Sequence, residues 1–195
     1  MKLTELVQEA EKIGDTYLDK LYTIIKGYDF SKQPMCPQWL IEDKYVRNLA
    51  GLCTAIKAKN AAEIGTMYGN SAIGLSMAFR HIGNVHSYDI NHNNIVNKDL
   101  LVYSGIITIT LKDNLDFLNI PFNDYDLIFV DIGVHTGYEE TLVHNKLLDL
   151  NYKGIVAYDD VSSMWPGMLP FWDKIEQEKV LTDWHSSGFG IVKYV

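Results

Sequence analysis

Hydrophobic positions fall into two regimes along the chain. Residues 3–26 place Leu3, Leu6, Val7, Ala10, Ile13, Tyr17, Leu21 and Ile24 on one helical stripe, which predicts an amphipathic helix packed on a domain. "YDFSKQPMCPQW" follows as a loop, because Pro34 and Pro37 forbid a regular helix there. A second amphipathic helix is expected over about 39–58. From residue 60 short apolar runs alternate with helical stretches. The runs "AAEI" (61–64), "VHSYDI" (85–90), "IITIT" (106–110), "DLIFVD" (126–131) and "GIVAYDD" (154–160) read as strands, with helices over 71–81, 93–103, 114–119 and 138–150. Apolar strands separated by helices mean βαβ units and a parallel sheet covered on both faces. The end of the chain breaks this pattern. "FWDKIEQEKV" runs from helix into strand, "HSSGFG" turns, and "IVKYV" is a final strand, which predicts an antiparallel pair at one end of an α/β doubly wound sheet. One domain is expected over 1–195, with a helical cap over 1–58 and a ligand-binding core over 59–195.

Composition narrows the partners. The formal net charge is -8 and there are only two arginines, Arg47 and Arg80. Such a field repels phosphate backbones, so general nucleic-acid binding is disfavoured and no nucleic-acid partner is expected. Cys36 and Cys53 have no metal or redox spacing and fit a reducing compartment. "MKLTELVQEAEKIG" has no basic start followed by an apolar run, and no segment approaches the length that spans a bilayer. A cytoplasmic protein with no membrane partner is expected. The amphipathic first helix permits a homodimer without requiring one.

Ligands of an open parallel sheet sit beyond the carboxyl ends of its strands, near the switch in strand order. Here those ends carry acids: Glu63, Asp89, Asp113 after the third strand, Asp131, and the pair Asp159–Asp160. After Glu63 the turn G-T-M-Y-G holds Gly65, Thr66 and Gly69. Gly65 allows a tight turn, and Gly69 allows backbone to approach a ligand at a helix start. A dinucleotide fingerprint needs a glycine where Met67 stands, and a carboxylate at Glu63 repels a pyrophosphate but attracts a cation. A nicotinamide dehydrogenase is therefore disfavoured, and a ligand with positive charge near the turn is expected. Asp89 can accept both hydroxyls of a ribose. Asp113 can accept from an adenine amino group or, equally, cap the helix that follows.

The runs "AAEIGTMYGNSAIGLSMAF", "VHSYDI", "YDLIFVDIGVHTGYEETL" and "GIVAYDDVSSMWPG" together resemble class I S-adenosylmethionine-dependent methyltransferases. The likeness is to the small catechol-type O-methyltransferase branch and its bacterial relatives, over about residues 34–195. It implies a Rossmann-like, mostly parallel seven-stranded sheet with an antiparallel C-terminal strand. It implies Glu63 near the methionine end of the cofactor, Ser71 on the methionine carboxylate, and Asp89 on the ribose. S-adenosylmethionine carries the cationic groups that Glu63 requires. Metal-dependent members place an aspartate after the fourth strand and an acid pair after the fifth, positions matched by Asp131, Asp159 and Asp160. Three converging carboxylates repel unless a cation neutralises them, and oxygen-only ligation suits Mg²⁺ or Ca²⁺. Relatives without a metal also keep acids there, leaving Asp131 a role on cofactor or substrate. His135 lies four residues beyond Asp131 and is a candidate general base, although "DIGVHTGY" is one residue longer than the related "DGDHSY". The lysine that the metal-dependent catechol enzymes use is absent. His81, His86, His92, His144 and His185 read as filler. Trp165, Pro166 and Phe171 on one side, and Met35, Trp39 and Tyr68 on the other, are candidate walls for a small-molecule methyl acceptor. The expected activity is O-methylation of a small molecule. The alternative is a non-catalytic protein of the same fold that binds S-adenosylmethionine.

Overall fold

Strand alternation sorts the apolar side chains of the sheet into two layers. The structure is a computed structural model and describes residues 1–26, 41–80, 83–95, 101–102 and 104–195. Its sheet comprises β1 (Ala61–Ile64), β2 (Val85–Asp89), β3 (Ile106–Thr110), β4 (Leu127–Val130), β5 (Gly154–Asp159), β6 (Glu178–Thr182) and β7 (Phe189–Tyr194). Ala61, Leu127, Phe129, Ile155 and Ala157 face one core; Ala62, Ile64, Ile128, Val130, Val156 and Tyr158 face the other. Burial on both faces is why β4 reads as an unbroken apolar run and β1 is interrupted only by Glu63.

Seven strands run in the order β3-β2-β1-β4-β5-β7-β6. The first five in that order are mutually parallel, and β7 is antiparallel to both β5 and β6. The expected C-terminal pair is present, with β7 inserted between β5 and β6 rather than added at the edge. The strand order reverses between β1 and β4, so a cleft opens beyond their carboxyl ends.

The first core is covered by α1 (Leu3–Asp15), α3 (Tyr45–Ala55) and α4 (Asn70–Ser76); the second by α5 (Tyr138–Asp149) and α6 (Met168–Lys174). The single helix expected over 3–26 is two, α1 and α2 (Leu18–Lys26). Thr16 turns its hydroxyl onto the Ile13 carbonyl at 2.6 Å, and Tyr17 N–H bonds the Gly14 carbonyl at 2.9 Å, which closes the first helix. The break lets Leu21 pack with Val46, Ala50 and Met77. The close crossing of α1 and α3 needs Gly51, where a Cβ would meet Gly14 N at 2.7 Å. Leu3, Leu6, Val7 and Ala10 are buried within the chain's own core, so the apolar face that permitted a dimer is covered in cis.

The remaining helices are shorter than their patterns suggest. The segment 71–81 is helical only to Ser76, and 114–119 is a 3₁₀ turn over Asp116–Asn119. Of 93–103, the structure describes a 3₁₀ turn over His92–Asn94 and helical residues at 101–102; the rest lies outside the described residues. So do Pro34, Met35, Cys36, Pro37, Trp39 and His81. Among the described residues, no helix is long and apolar enough to cross a membrane.

Candidate functional site

The turn after β1 is stitched to both neighbouring strands. Gly65 N–H donates to the Tyr88 carbonyl at 2.8 Å, and Asp131 N–H donates to the Ile64 carbonyl at 3.0 Å. Gly65 has φ +99°, and a Cβ there would overlap the Asp131 carbonyl oxygen. Met67, in the place of a fingerprint glycine, adopts φ +42°. Its N–H is taken by Asp89 Oδ2 at 2.9 Å, while Asn91 N–H donates to Asp89 Oδ1 at 2.8 Å. Gly69, also left-handed, is the N-cap of α4.

Glu63 is fully buried beneath this turn. Pairing of β1 with β2 sets it beside Ser87. Ser71 Oγ donates to one carboxylate oxygen and Ser87 Oγ to the other. Thr66 Oγ1 lies 2.5 Å from Ser87 Oγ and completes the chain. Burial raises the Glu63 carboxyl from 4.5 to about 7, against the pull of the two serine hydroxyls. Ser71 spends its only proton on Glu63, so it offers the cleft an acceptor lone pair. That suits an ammonium better than the carboxylate expected for it from sequence.

On the other side of the switch point the loops after β4 and β5 meet. His135 and Asp160 both adopt left-handed backbone, with φ +54° and +61°. His135 Nε2 lies 3.0 Å from Asp160 Oδ2, Trp165 Nε1 donates to Asp160 Oδ1 at 2.8 Å, and the His135 and Trp165 rings are 4.7 Å apart. Asp159 Oδ1 accepts Asp160 N–H at 2.9 Å and lies 2.7 Å from His185 Nδ1. His185 Nε2 faces Asp43 Oδ2 at 3.7 Å, and Ser187 Oγ is 2.9 Å from its Nδ1. Burial alone would lower the His185 imidazole, but Asp159, then Asp43 and Asp160, raise it from 6.5 to about 9. Among the described residues no group donates a hydrogen bond to the Asp131 carboxylate. Burial, then Asp159, Asp160 and Glu63, push that carboxyl well above its usual range.

These donors fit a cation, though not as the single acid trio expected. Ligand-type atoms of Asp131, His135 and Asp160 lie within 4.8 Å of one another, as do those of Asp159, Asp160 and His185. Asp160 belongs to both sets. His185, read as filler, is thus a site residue. It comes from the loop before β7, and only the insertion of β7 beside β5 brings it to Asp159. Nothing in its sequence neighbourhood marks it.

Both sides open onto one groove of about 660 Å³, within the usual range for small-ligand sites. Gly65, Thr66 and Ser71 line its cofactor side; Asp131, His135, Asp159 and Asp160 line the other, with Trp165 and Tyr68 as walls. Glu63, Gly69 and Asp89 are not among the residues that line it. Asp113 is exposed and accepts Leu115 N–H at 2.8 Å, two residues on, whereas the N-cap of the 3₁₀ turn that follows is Leu115. Pro166 is exposed off the groove, and Phe171 is buried in the second core, 5.0 Å from the Tyr158 ring, so neither walls an acceptor. Of the filler histidines, His86 and His144 bond Tyr125 and Tyr194 hydroxyls, each at 2.6 Å.

Two buried carboxyls make stability depend on pH. Burial raises Glu63 and Glu140 from 4.5 to about 7. An acid whose pKa rises on folding contributes stability fully below its unfolded pKa, and loses it as pH climbs through the folded value. The melting temperature of the ligand-free protein therefore falls between pH 4.5 and 7. Glu140→Gln flattens that fall, as followed by thermal denaturation in a pH series. A melting temperature that climbs over this interval would contradict the burial of both groups.

Comparison with known proteins follows the same lines. The family described as O-methyltransferase matches residues 28–183. No curated protein matches the sequence. Among solved structures, an SAH-bound methyltransferase from Podospora anserina is similar with a TM-score of 0.61 at 15% identity, over 91% of this chain and 87% of that one. An O-methyltransferase from Bacillus cereus in complex with SAH has a TM-score of 0.57 at 18% identity, over 91% and 90%. TomG, an O-methyltransferase of Streptomyces achromogenes involved in tomaymycin synthesis and solved with SAM, has a TM-score of 0.56 at 18% identity, over 91% and 89%. At these identities the likeness is one of fold.

Proposed function

This chain belongs to the O-methyltransferase family, and on that premise we propose that it moves a methyl group from S-adenosylmethionine to an oxygen of a small molecule. The observation that carries this reading is the convergence of the Gly65–Thr66 turn, Asp131 and the Asp159–Asp160 pair on one groove at the strand-order switch. S-adenosylmethionine supplies an electrophilic methyl on a sulfonium. The protein's part is to bind, orient and exclude water.

Asp89 holds the turn through Met67 N–H and keeps lone pairs on both oxygens for ribose hydroxyls. Glu63 fixes Ser71 and Thr66 and places negative charge behind the cationic end of the donor. On the acceptor side Asp160 holds His135 through Nε2, which leaves Nδ1 to take the acceptor's hydroxyl proton as the oxygen attacks the methyl carbon. Trp165 donates to the other Asp160 oxygen and fixes that carboxylate. When bound at the aspartates of this cluster, a divalent cation supplies a Lewis acid that lowers the pKa of an acceptor hydroxyl. Asp131 faces the same groove with no donor of its own among the described residues, so its oxygens are left for cofactor, acceptor or cation, and a nearby positive charge would favour its ionised form. Among the described residues no lysine or arginine lines the groove, which favours neutral or cationic acceptors over phosphorylated ones.

The test is incubation with S-adenosylmethionine and a panel of phenols, catechols and alcohols, with S-adenosylhomocysteine quantified by mass spectrometry. Methylated product is expected from at least one class. Binding of the cofactor without product across the panel would leave a binding protein instead. Asp89→Ala is expected to weaken S-adenosylmethionine binding about 10- to 100-fold by calorimetry, because it loses the ribose contacts and frees the turn.

A further inference from the structure

We propose that Tyr45 orients the methyl acceptor, its phenolic hydroxyl donating a hydrogen bond to the acceptor's reacting oxygen. The inference rests on the methyltransferase reading of the groove and adds to it a contact from the helical layer. Tyr45 opens α3 and lines the groove. Its N–H donates to the Trp184 carbonyl at 3.0 Å, which pins the start of the helix to the connection before β7. Its ring stacks on Phe129 of β4, with centroids 6.2 Å apart and planes at 24°, and lies 6.0 Å from the ring of Phe189 on β7. Phe129 and Phe189 stack on each other at 5.7 Å. Three rings drawn from one helix and two strands clamp the phenol, so a ligand that meets it has little side-chain freedom to freeze out.

Strand alternation decides where the hydroxyl lies. Ala61, Phe129 and Ala157 face the first core, and the residues two further on, Glu63, Asp131 and Asp159, continue that face to the strand ends. A ring laid on Phe129 therefore carries its hydroxyl toward Asp131 and Asp159. Burial first, then Asp159 and Asp131, then Asp43 and Glu63, hold this phenol well above its usual range, so it keeps its proton and acts as a donor. Other donors of the groove are committed: Ser71 Oγ to Glu63 and Trp165 Nε1 to Asp160. The Tyr45 hydroxyl makes no hydrogen bond to another described residue. His135 reaches Asp131 from the loop after β4, their ligand-type atoms within 4.8 Å of each other. An acceptor oxygen lying between the two residues meets a donor on one side and a base on the other. That oxygen uses one lone pair on the methyl carbon, accepts from Tyr45 with the other, and gives its proton to His135 Nδ1. The bond from methyl to sulfur breaks, its electrons stay on sulfur, and Tyr45 keeps its proton throughout.

The experiment compares the full chain with Tyr45→Phe, which keeps the stacked ring and removes only the hydroxyl. Each protein is titrated by calorimetry with S-adenosylhomocysteine and then, with that ligand present, with para-nitrophenol and with nitrobenzene. The two probes differ only in the oxygen that Tyr45 would contact. The unmodified protein is expected to prefer para-nitrophenol, and Tyr45→Phe to weaken it about tenfold while leaving nitrobenzene and S-adenosylhomocysteine within about twofold. A merely structural role for Tyr45 would weaken both probes alike, and that result overturns the proposal. So does failure of the unmodified protein to bind para-nitrophenol, or a Tyr45→Phe protein that binds it as tightly as the original. If S-adenosylhomocysteine does not bind but the preference for para-nitrophenol depends on the hydroxyl, the methyltransferase reading falls and the Tyr45 contact stands. If S-adenosylhomocysteine binds and that dependence is missing, the reverse holds.

Discussion

His135→Ala lowers kcat by about 10²- to 10³-fold while leaving the affinity for S-adenosylmethionine within a factor of three, as expected for loss of a general base. The split follows from where the residue sits. His135 lines the groove from the loop after β4, whereas the turn proposed to hold the cofactor follows β1 and is bonded to Asp89 at the end of β2. Its Nε2 is held by Asp160 at 3.0 Å, an arrangement that keeps the proton on Nε2 and the lone pair on Nδ1. Trp165→Phe keeps the ring beneath the imidazole but removes the donor to Asp160 Oδ1, so it should cost less than His135→Ala and act through kcat. Single-turnover kinetics with an acceptor from the panel separates the chemical step from release. A His135→Ala enzyme that turns over within threefold of the original would assign the proton to another group.

Gly65→Ala should be the most destabilising single substitution in the site, by at least about 3 kcal/mol. Two costs combine. The residue would have to hold φ +99°, and its new methyl would occupy the space of the Asp131 carbonyl oxygen. Backbone on both sides is pinned, by Tyr88 and Ile64 carbonyls, so the overlap has no soft neighbour to displace. For a chain of this size the loss corresponds to a drop in melting temperature of roughly 10 °C. Gly83→Ala is the control: it also has positive φ, but its Cβ would meet only the Ile107 side chain at 3.4 Å. If the two variants melt together, close approach of β1 and β4 is not what Gly65 serves.

Much of this arrangement can be read from residue order. Strands buried on both faces leave unbroken apolar runs, and acids beyond those runs mark their ends, so Asp131 and the Asp159–Asp160 pair were locatable. What resists reading depends on pieces distant in sequence. Helix α1 stops after Asp15, beside Gly14 and the Thr16 turn, but that α3 crosses there at Gly14 and Gly51 is not legible in the local sequence. The partners of Glu63 require the β1–β2 register, since Ser87 becomes its neighbour only once those strands pair. His185 lies 26 residues from Asp159 and reaches it through an antiparallel return. Phe171 and Trp165 are both aromatic, six residues apart and packed on the same core, yet Phe171 is buried within α6 while Trp165, on the loop before it, also lines the groove.

The insertion of β7 between β5 and β6 orders events in time. β6 is synthesised first but joins the sheet only through β7, so its strand pairing cannot form until residues 189–194 are in place. The β5–β7 pairing closes a longer loop than the β6–β7 hairpin, and loop closure of that kind is slow. His185 is carried on the connection between those two strands, so the acid pair meets its imidazole only when the last gap in the sheet closes. A nascent chain released before that moment would hold a finished cofactor turn beside an unassembled acceptor half.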